Sequence, residues 1–164
     1  MLELIRFKEK DVPQFVKLCQ KAFPTHNVFY RTAQEVADYL RSKDEQNKEF
    51  GGVFFAYEGG KLVGGALLRK EDFDPKGKHV RLKYNHLVAV NDKVKKKILE
   101  EFNQKVSKMI KEGKINTAKL ELGLAENETD IQFYLDNGFV KEGKLKSHYR
   151  FNETVYVLGM EITK

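Results

Sequence analysis

The stretch from Ile115 to Phe139, INTAKLELGLAENETDIQFYLDNGF, constrains this chain most, because it reads as a buried strand, a polar corner, one short helix and a stop. Ile115, Ala118, Leu120 and Leu122 form an apolar-rich run without helical spacing, which predicts a strand near the centre of a sheet. Asn127, Thr129 and Asp130 follow, with side chains able to accept from the free N–H groups of a first helical turn. Ile131, Tyr134 and Leu135 then fall on one face of the helix. Gly138 ends it, since a left-handed residue after the last turn lets the orphan carbonyls find donors at little steric cost.

The flanking sequence supplies the remaining elements. Leu2 to Phe7 alternate as a first strand, and Asp11, Val12 and Pro13 open a helix whose apolar side is Phe15, Val16, Leu18, Cys19, Ala22 and Phe23. Pro24 breaks it. The loop PTHNVFYR carries three bulky groups, Val28, Phe29 and Tyr30, which either pack on the core or line a site. Thr32 with Glu35 is a capping box opening a second helix through Val36, Tyr39 and Leu40, after which RSKDEQNKE reads as a solvated connection. Val53 to Tyr57 and Leu62 to Leu68 flank Glu58, Gly59, Gly60 and Lys61, a turn composition that predicts an antiparallel hairpin. KEDFDPKGK is a second turn, and His79 to Val90 reads as a long strand with Val80, Leu82, Tyr84, His86, Val88 and Val90 on one face. From Asn91 to Lys114 the apolar residues keep a helical period, closed by Gly113. Val140 to Phe151 and Val155 to Ile162 are two last strands about a turn at Asn152.

A length of 164 residues suits one domain, 1–164, with one core. Hydrophobic residues at 41% beside charged residues at 33% fit a globular protein with a heavily charged surface. No apolar run approaches a membrane span and MLELIRFKEKD lacks an apolar signal core, so the expectation is a cytoplasmic protein without membrane contact. Cys19 is the only cysteine, which excludes an internal disulfide and a multi-cysteine metal site; no His and carboxylate spacing recurs, so no metal is expected. The formal charge of +6 favours anionic partners without selecting one.

Asn127, Tyr134, Gly138 and Phe139 carry the spacing of the C-terminal signature of the GNAT superfamily of acyl-CoA-dependent N-acyltransferases, with Asp130 where a small residue is usual. Leu120, Glu121 and Leu122 further resemble the LEV of the ribosomal-protein N-terminal acetyltransferase branch, with one extra residue before the Asn. The order strand, two helices, three strands, helix, strand, helix, two strands is also the GNAT order over essentially the whole chain. The resemblance implies an α/β (α+β) fold, a GNAT-like domain with a mixed, mostly antiparallel central sheet flanked by about four helices. It implies an N-acetyltransferase that moves acetyl from acetyl-CoA to a primary amine by direct attack.

In that superfamily acyl-CoA lies between the strands corresponding to residues 80 to 90 and 115 to 122, and main-chain N–H groups at the next helix start hold its pyrophosphate. The resemblance places the cofactor against Val88, Ala89, Val90 and Asn127. Here the loop is NDKVKKKILEE, and from Val90 to Glu112 there is neither Gly nor Ala. Lys93, Lys95, Lys96 and Lys97 are candidates to meet the phosphates as point charges instead. By resemblance Glu121 is the candidate base and Tyr134 the candidate acid; their structural alternatives are an ion pair with Lys119 and ordinary core packing on Ile131 and Leu135. Phe29, Tyr30, His86 and His148, with Tyr149 beside the last, are candidates for the acceptor side, and His86 is also a second base candidate, although a lone His among apolar strand residues is more often a satisfied core group. The competing function is a GNAT-fold module that has lapsed as a catalyst and binds RNA or a protein partner through the basic helix, where Asn91 to Lys114 hold eight Lys against Asp92, Glu100, Glu101 and Glu112. The expected partners are acetyl-CoA and an amine acceptor, with nucleic acid second, and the chain as a monomer or homodimer.

Overall fold

Hydrophobic period switches between two and 3.6 along the chain, and the elements follow those switches in the expected order. The computed structural model describes residues 1–24, 27–126 and 130–164. Among them lie seven strands and four α-helices: β1 (Leu2–Arg6), α1 (Val12–Ala22), α2 (Ala33–Asn47), β2 (Gly52–Glu58), β3 (Lys61–Asp74), β4 (His79–Ala89), α3 (Asp92–Lys111), β5 (Thr117–Ala125), α4 (Ile131–Asp136), β6 (Val140–Lys146) and β7 (Thr154–Ile162). The strand order is β1-β2-β3-β4-β5-β7-β6. The β4–β5 pair is parallel, whereas β1–β2, β2–β3, β5–β7 and β6–β7 are antiparallel. No helix among the described residues is long and apolar enough to cross a membrane. Two compact units divide the chain, one of Met1–Lys70 with Tyr84–Lys105, the other of Glu71–Lys83 with Val106–Lys164.

In the first unit α1 buries Val12, Phe15 and Cys19, spaced to fall on one helical stripe. The Phe15 ring lies 4.7 Å from that of Phe55 and meets Phe29 edge-on at 6.3 Å. The bulky loop residues therefore divide: Phe29 is fully buried in a 3-10 turn, while Tyr30 is 60% exposed and its hydroxyl donates to the Pro24 carbonyl at 2.8 Å. The segment RSKDEQNKE is not a solvated connection, because α2 continues to Asn47. Asn47 is buried, donates to the Lys43 carbonyl and accepts from Lys70 N at 2.8 Å, and Asp44 accepts from Arg6 and from Val53 N. The polar residues that suggest a loop thus tie the helix end to the adjoining strands.

The regular face expected along His79 to Val90 is broken at His86, whose φ of +56° lies in the left-handed region. Val80, Leu82 and Tyr84 are buried in alternation, but Leu87 and Val88 are then buried consecutively, and Val90 is 48% exposed beyond the strand end.

In the second unit β5 buries Ala118, Leu120, Leu122 and Leu124 on one face. It pairs with β7 from Ala118↔Ile162 to Ala125↔Val155. The strand expected from Val140 to Phe151 is shorter, because the chain leaves the ladder at Ser147 (φ +54°) and turns through Asn152 (φ +62°), whose N–H donates to Ser147 Oγ at 3.0 Å.

Candidate active site

Lys119, Glu121 and Gly123 occupy the face of β5 opposite its buried leucines. The parallel β4–β5 register runs from His79↔Thr117 to Lys83↔Glu121, and among the described residues it ends there, although both strands continue. Glu121 is thus the last β5 residue in that ladder. Its side chain is 14% exposed. Arg81 Nη1 donates to Glu121 Oε2 at 3.2 Å, and Lys119 Nζ lies 3.9 Å from Oε1. Lys119 is held more closely by Glu142 on β6, at 2.8 Å, and this bond raises the Lys119 pKa. Gly159 on β7, register partner of Glu121, makes room for that crossing: a Cβ there would run into the Glu142 carboxylate and the Lys119 stem. Sequence reasoning missed Arg81, Glu142 and Gly159, because cross-strand partners depend on a register that no local pattern reveals.

A pocket of about 50 Å³ opens beside Glu121, walled by Lys83, Gly123, Leu145, His148 and Tyr149 among others. His148, predicted for the acceptor side, therefore shares one cavity with the predicted base. Its ring packs on Tyr149 at 4.7 Å, and a Cβ at Gly123 would touch the Tyr149 hydroxyl at 3.4 Å. Lys83 faces Glu121 across the ladder yet forms no ion pair among the described residues.

Tyr134 lies on α4, 2% exposed, with its ring edge-on to Phe133 at 5.1 Å and to Phe139 at 5.8 Å. Asp130 caps that helix by accepting from Gln132 N, and Gly138 ends it with φ of +95°. Asn127 and Thr129 lie outside the described residues.

In the first unit His86 accepts or donates a 3.0 Å hydrogen bond with the Tyr39 hydroxyl and meets the Phe29 ring edge-on at 4.9 Å. Phe29 and His86 are therefore brought together, whereas Tyr30 turns outward. Val88 and Ala89 end β4, and Val90 N donates to the Val63 carbonyl at 2.9 Å. Asn91 caps α3, its Oδ1 accepting from Val94 N at 2.9 Å, so one of the free first-turn N–H groups is satisfied from within the chain. Lys95 lies 3.8 Å from Asp92 and Lys97 3.3 Å from Glu58, while Lys93 and Lys96 are exposed. The residues fit a polyphosphate chiefly through lysine charge.

This strand order and element sequence define the fold of the GNAT acetyltransferases. The chain is similar to a GNAT-family acetyltransferase from Streptococcus pneumoniae, with 18% identity over 99% of each chain and a TM-score of 0.69. It is similar to a Vibrio cholerae spermidine N-acetyltransferase in complex with CoA and spermine (17% identity, 98% of this chain and 95% of that one, TM-score 0.67). An Arabidopsis thaliana protein in complex with the bisubstrate analogue CoA-Ac-MVNAL shares 21% identity over 96% of this chain and 97% of its own, with a TM-score of 0.65. No protein-family model matches the sequence. No curated protein sequence matches it.

Proposed function

We propose that the protein is an acetyl-CoA-dependent N-acetyltransferase acting on a primary amine by direct attack. The observation that carries this reading is the placement of Glu121, a largely buried carboxylate at the end of a parallel ladder, in the wall of a pocket, on the GNAT fold. Amide formation from a thioester needs a neutral amine, an acceptor for its proton and a donor for the departing thiolate. Glu121, oriented by Arg81, takes the amine proton directly or through one water. The new N–C bond forms as the C–S bond breaks, and Tyr134 is the proposed donor of the proton that leaves with CoA as its thiol. Lys93, Lys95, Lys96 and Lys97 are the proposed phosphate partners, with Val88, Ala89, Val90 and Asn127 along the pantetheine arm. Phe29, Tyr30, His86 and His148 are the proposed acceptor side. Acetyl-CoA when bound supplies the activated acyl group.

The similar structures with CoA ligands support the cosubstrate, and the lysine-rich start of α3 supplies the charge its phosphates require. Isothermal titration with acetyl-CoA tests the reading, together with thiol release on adding an amine. Saturable heat with amine-dependent thiol release is the expected result. No heat at millimolar acetyl-CoA overturns it, and salt-sensitive RNA binding that acetyl-CoA does not compete would support a binding module in its place.

A further inference from the structure

We propose that the acceptor is a small zwitterionic amine, a primary amine with a carboxylate one or two carbons away, and that Lys83 binds this carboxylate while Glu121 faces the nitrogen. The inference rests on the acetyl-transfer reading and names its substrate class.

Three observations carry it. First, the charges around the pocket are unevenly matched. Glu121 is already met by Arg81 and Lys119, and Lys119 is itself held by Glu142, whereas Lys83 has no ion pair among the described residues. Lys83 is a half-buried residue in the pocket wall without a counter-charge, and such a cation favours a ligand that brings one, since a charge partly taken from water is stabilised mainly by a nearby opposite charge. Second, Lys83 and Glu121 are register partners on adjacent parallel strands and line the same pocket. Neighbouring strands lie about 4.8 Å apart, so the two side chains rise from adjacent backbone positions on one face and present one cation and one carboxylate to the same small cavity, as the two ends of an α- or β-amino acid require. Third, the cavity of about 50 Å³ accommodates only a few heavy atoms, which favours a compact ligand. A polyamine, with cationic groups repeated along its length, would bring a like charge against Lys83 in the pocket wall.

Ligand-observed NMR and thiol release, run side by side, test the proposal. The probes are β-alanine, its amide and spermidine, each with and without acetyl-CoA, on the full chain and on Lys83→Gln and Lys83→Arg. Thermal denaturation of both variants checks folding. β-Alanine should bind about tenfold or more tightly than its amide, the gain expected of a charge-assisted contact. In Lys83→Gln that ratio should fall to near one, and Lys83→Arg should restore most of it. Equal binding of acid and amide, preference for spermidine, or a ratio unmoved in folded Lys83→Gln overturns the proposal. Lys83-dependent binding of β-alanine without thiol release would keep the ligand class and sink the transferase reading; thiol release without preference for the carboxylate would do the reverse.

Discussion

Arg81 reaches past its own register partner to Glu121: its Cα stands opposite Lys119, yet its guanidinium donates to the Glu121 carboxylate at 3.2 Å. The diagonal contact orients the carboxylate and leaves Lys83, the true register partner of Glu121, without an ion pair among the described residues. Glu121→Gln retains an acceptor for Arg81 but removes the basic oxygen. The expected outcome is a fall in kcat of about 10²- to 10⁴-fold, with the heat of acetyl-CoA binding preserved. An undiminished kcat in a folded variant would remove Glu121 from the chemistry.

Tyr57 donates to Asp11 Oδ2 at 2.6 Å from a nearly buried position in the first unit. Burial first, and then the Asp11 carboxylate, push its pKa well above the ordinary 10.0. Above pH 10 the unfolded chain gives up this proton while the folded chain keeps it, so stability falls as pH rises toward the folded-state value and is at its full level below pH 10. Tyr57→Phe should lose about 1.5–3 kcal/mol at pH 7, the worth of a hydrogen bond to a charged acceptor. Urea melts across pH 8 to 11 should show a shallower alkaline decline for the variant; parallel declines would mean that other groups govern this range.

Gly64 on β3 faces β4 so closely that a Cβ would lie 2.5 Å from the Val88 carbonyl oxygen and 2.7 Å from Ile98 Cδ1. Backbone cannot step aside as a side-chain tip can. Gly64→Ala should therefore destabilise the protein by about 1–3 kcal/mol, a drop of several degrees in Tm by scanning calorimetry. An unchanged Tm would show that β3 and β4 tolerate a wider spacing here.

Element order was readable from the sequence because hydrophobic period and capping residues are local signals: Thr32 accepts from Glu35 N as its capping box predicts, and Asp130 caps α4. The errors fell where a distant partner overrode local chemistry. Asn47 and Asp44 look like loop residues, yet each has a partner far along the chain, the Lys70 backbone N–H for Asn47 and the Arg6 side chain for Asp44. His86 breaks the alternation of β4 through a positive φ that its residue type did not foreshadow. In the candidate site, Glu121, singled out by family resemblance, and His148, singled out for the acceptor side, line one pocket, whereas Arg81, Lys83 and Gly159 come next to them only through strand register. Spacing in sequence carries no information about which residue stands opposite another.

Among the lysines at the start of α3, those already paired should matter least to acetyl-CoA. Lys97 Nζ lies 3.3 Å from Glu58 and Lys95 Nζ 3.8 Å from Asp92, while Lys93 and Lys96 are exposed and form no ion pair among the described residues. A phosphate approaching Lys97 must compete with a carboxylate in place, whereas Lys93 and Lys96 can swing toward it at little cost. Replacing Lys93 and Lys96 together by Gln should raise the Kd for acetyl-CoA by roughly two- to fivefold per lysine at low salt, and the difference should shrink as salt screens the charges. Lys97→Gln alone should change it less. Calorimetry at two ionic strengths reads both effects, and an equal loss from Lys97→Gln would mean that the Glu58 contact opens to admit the phosphates.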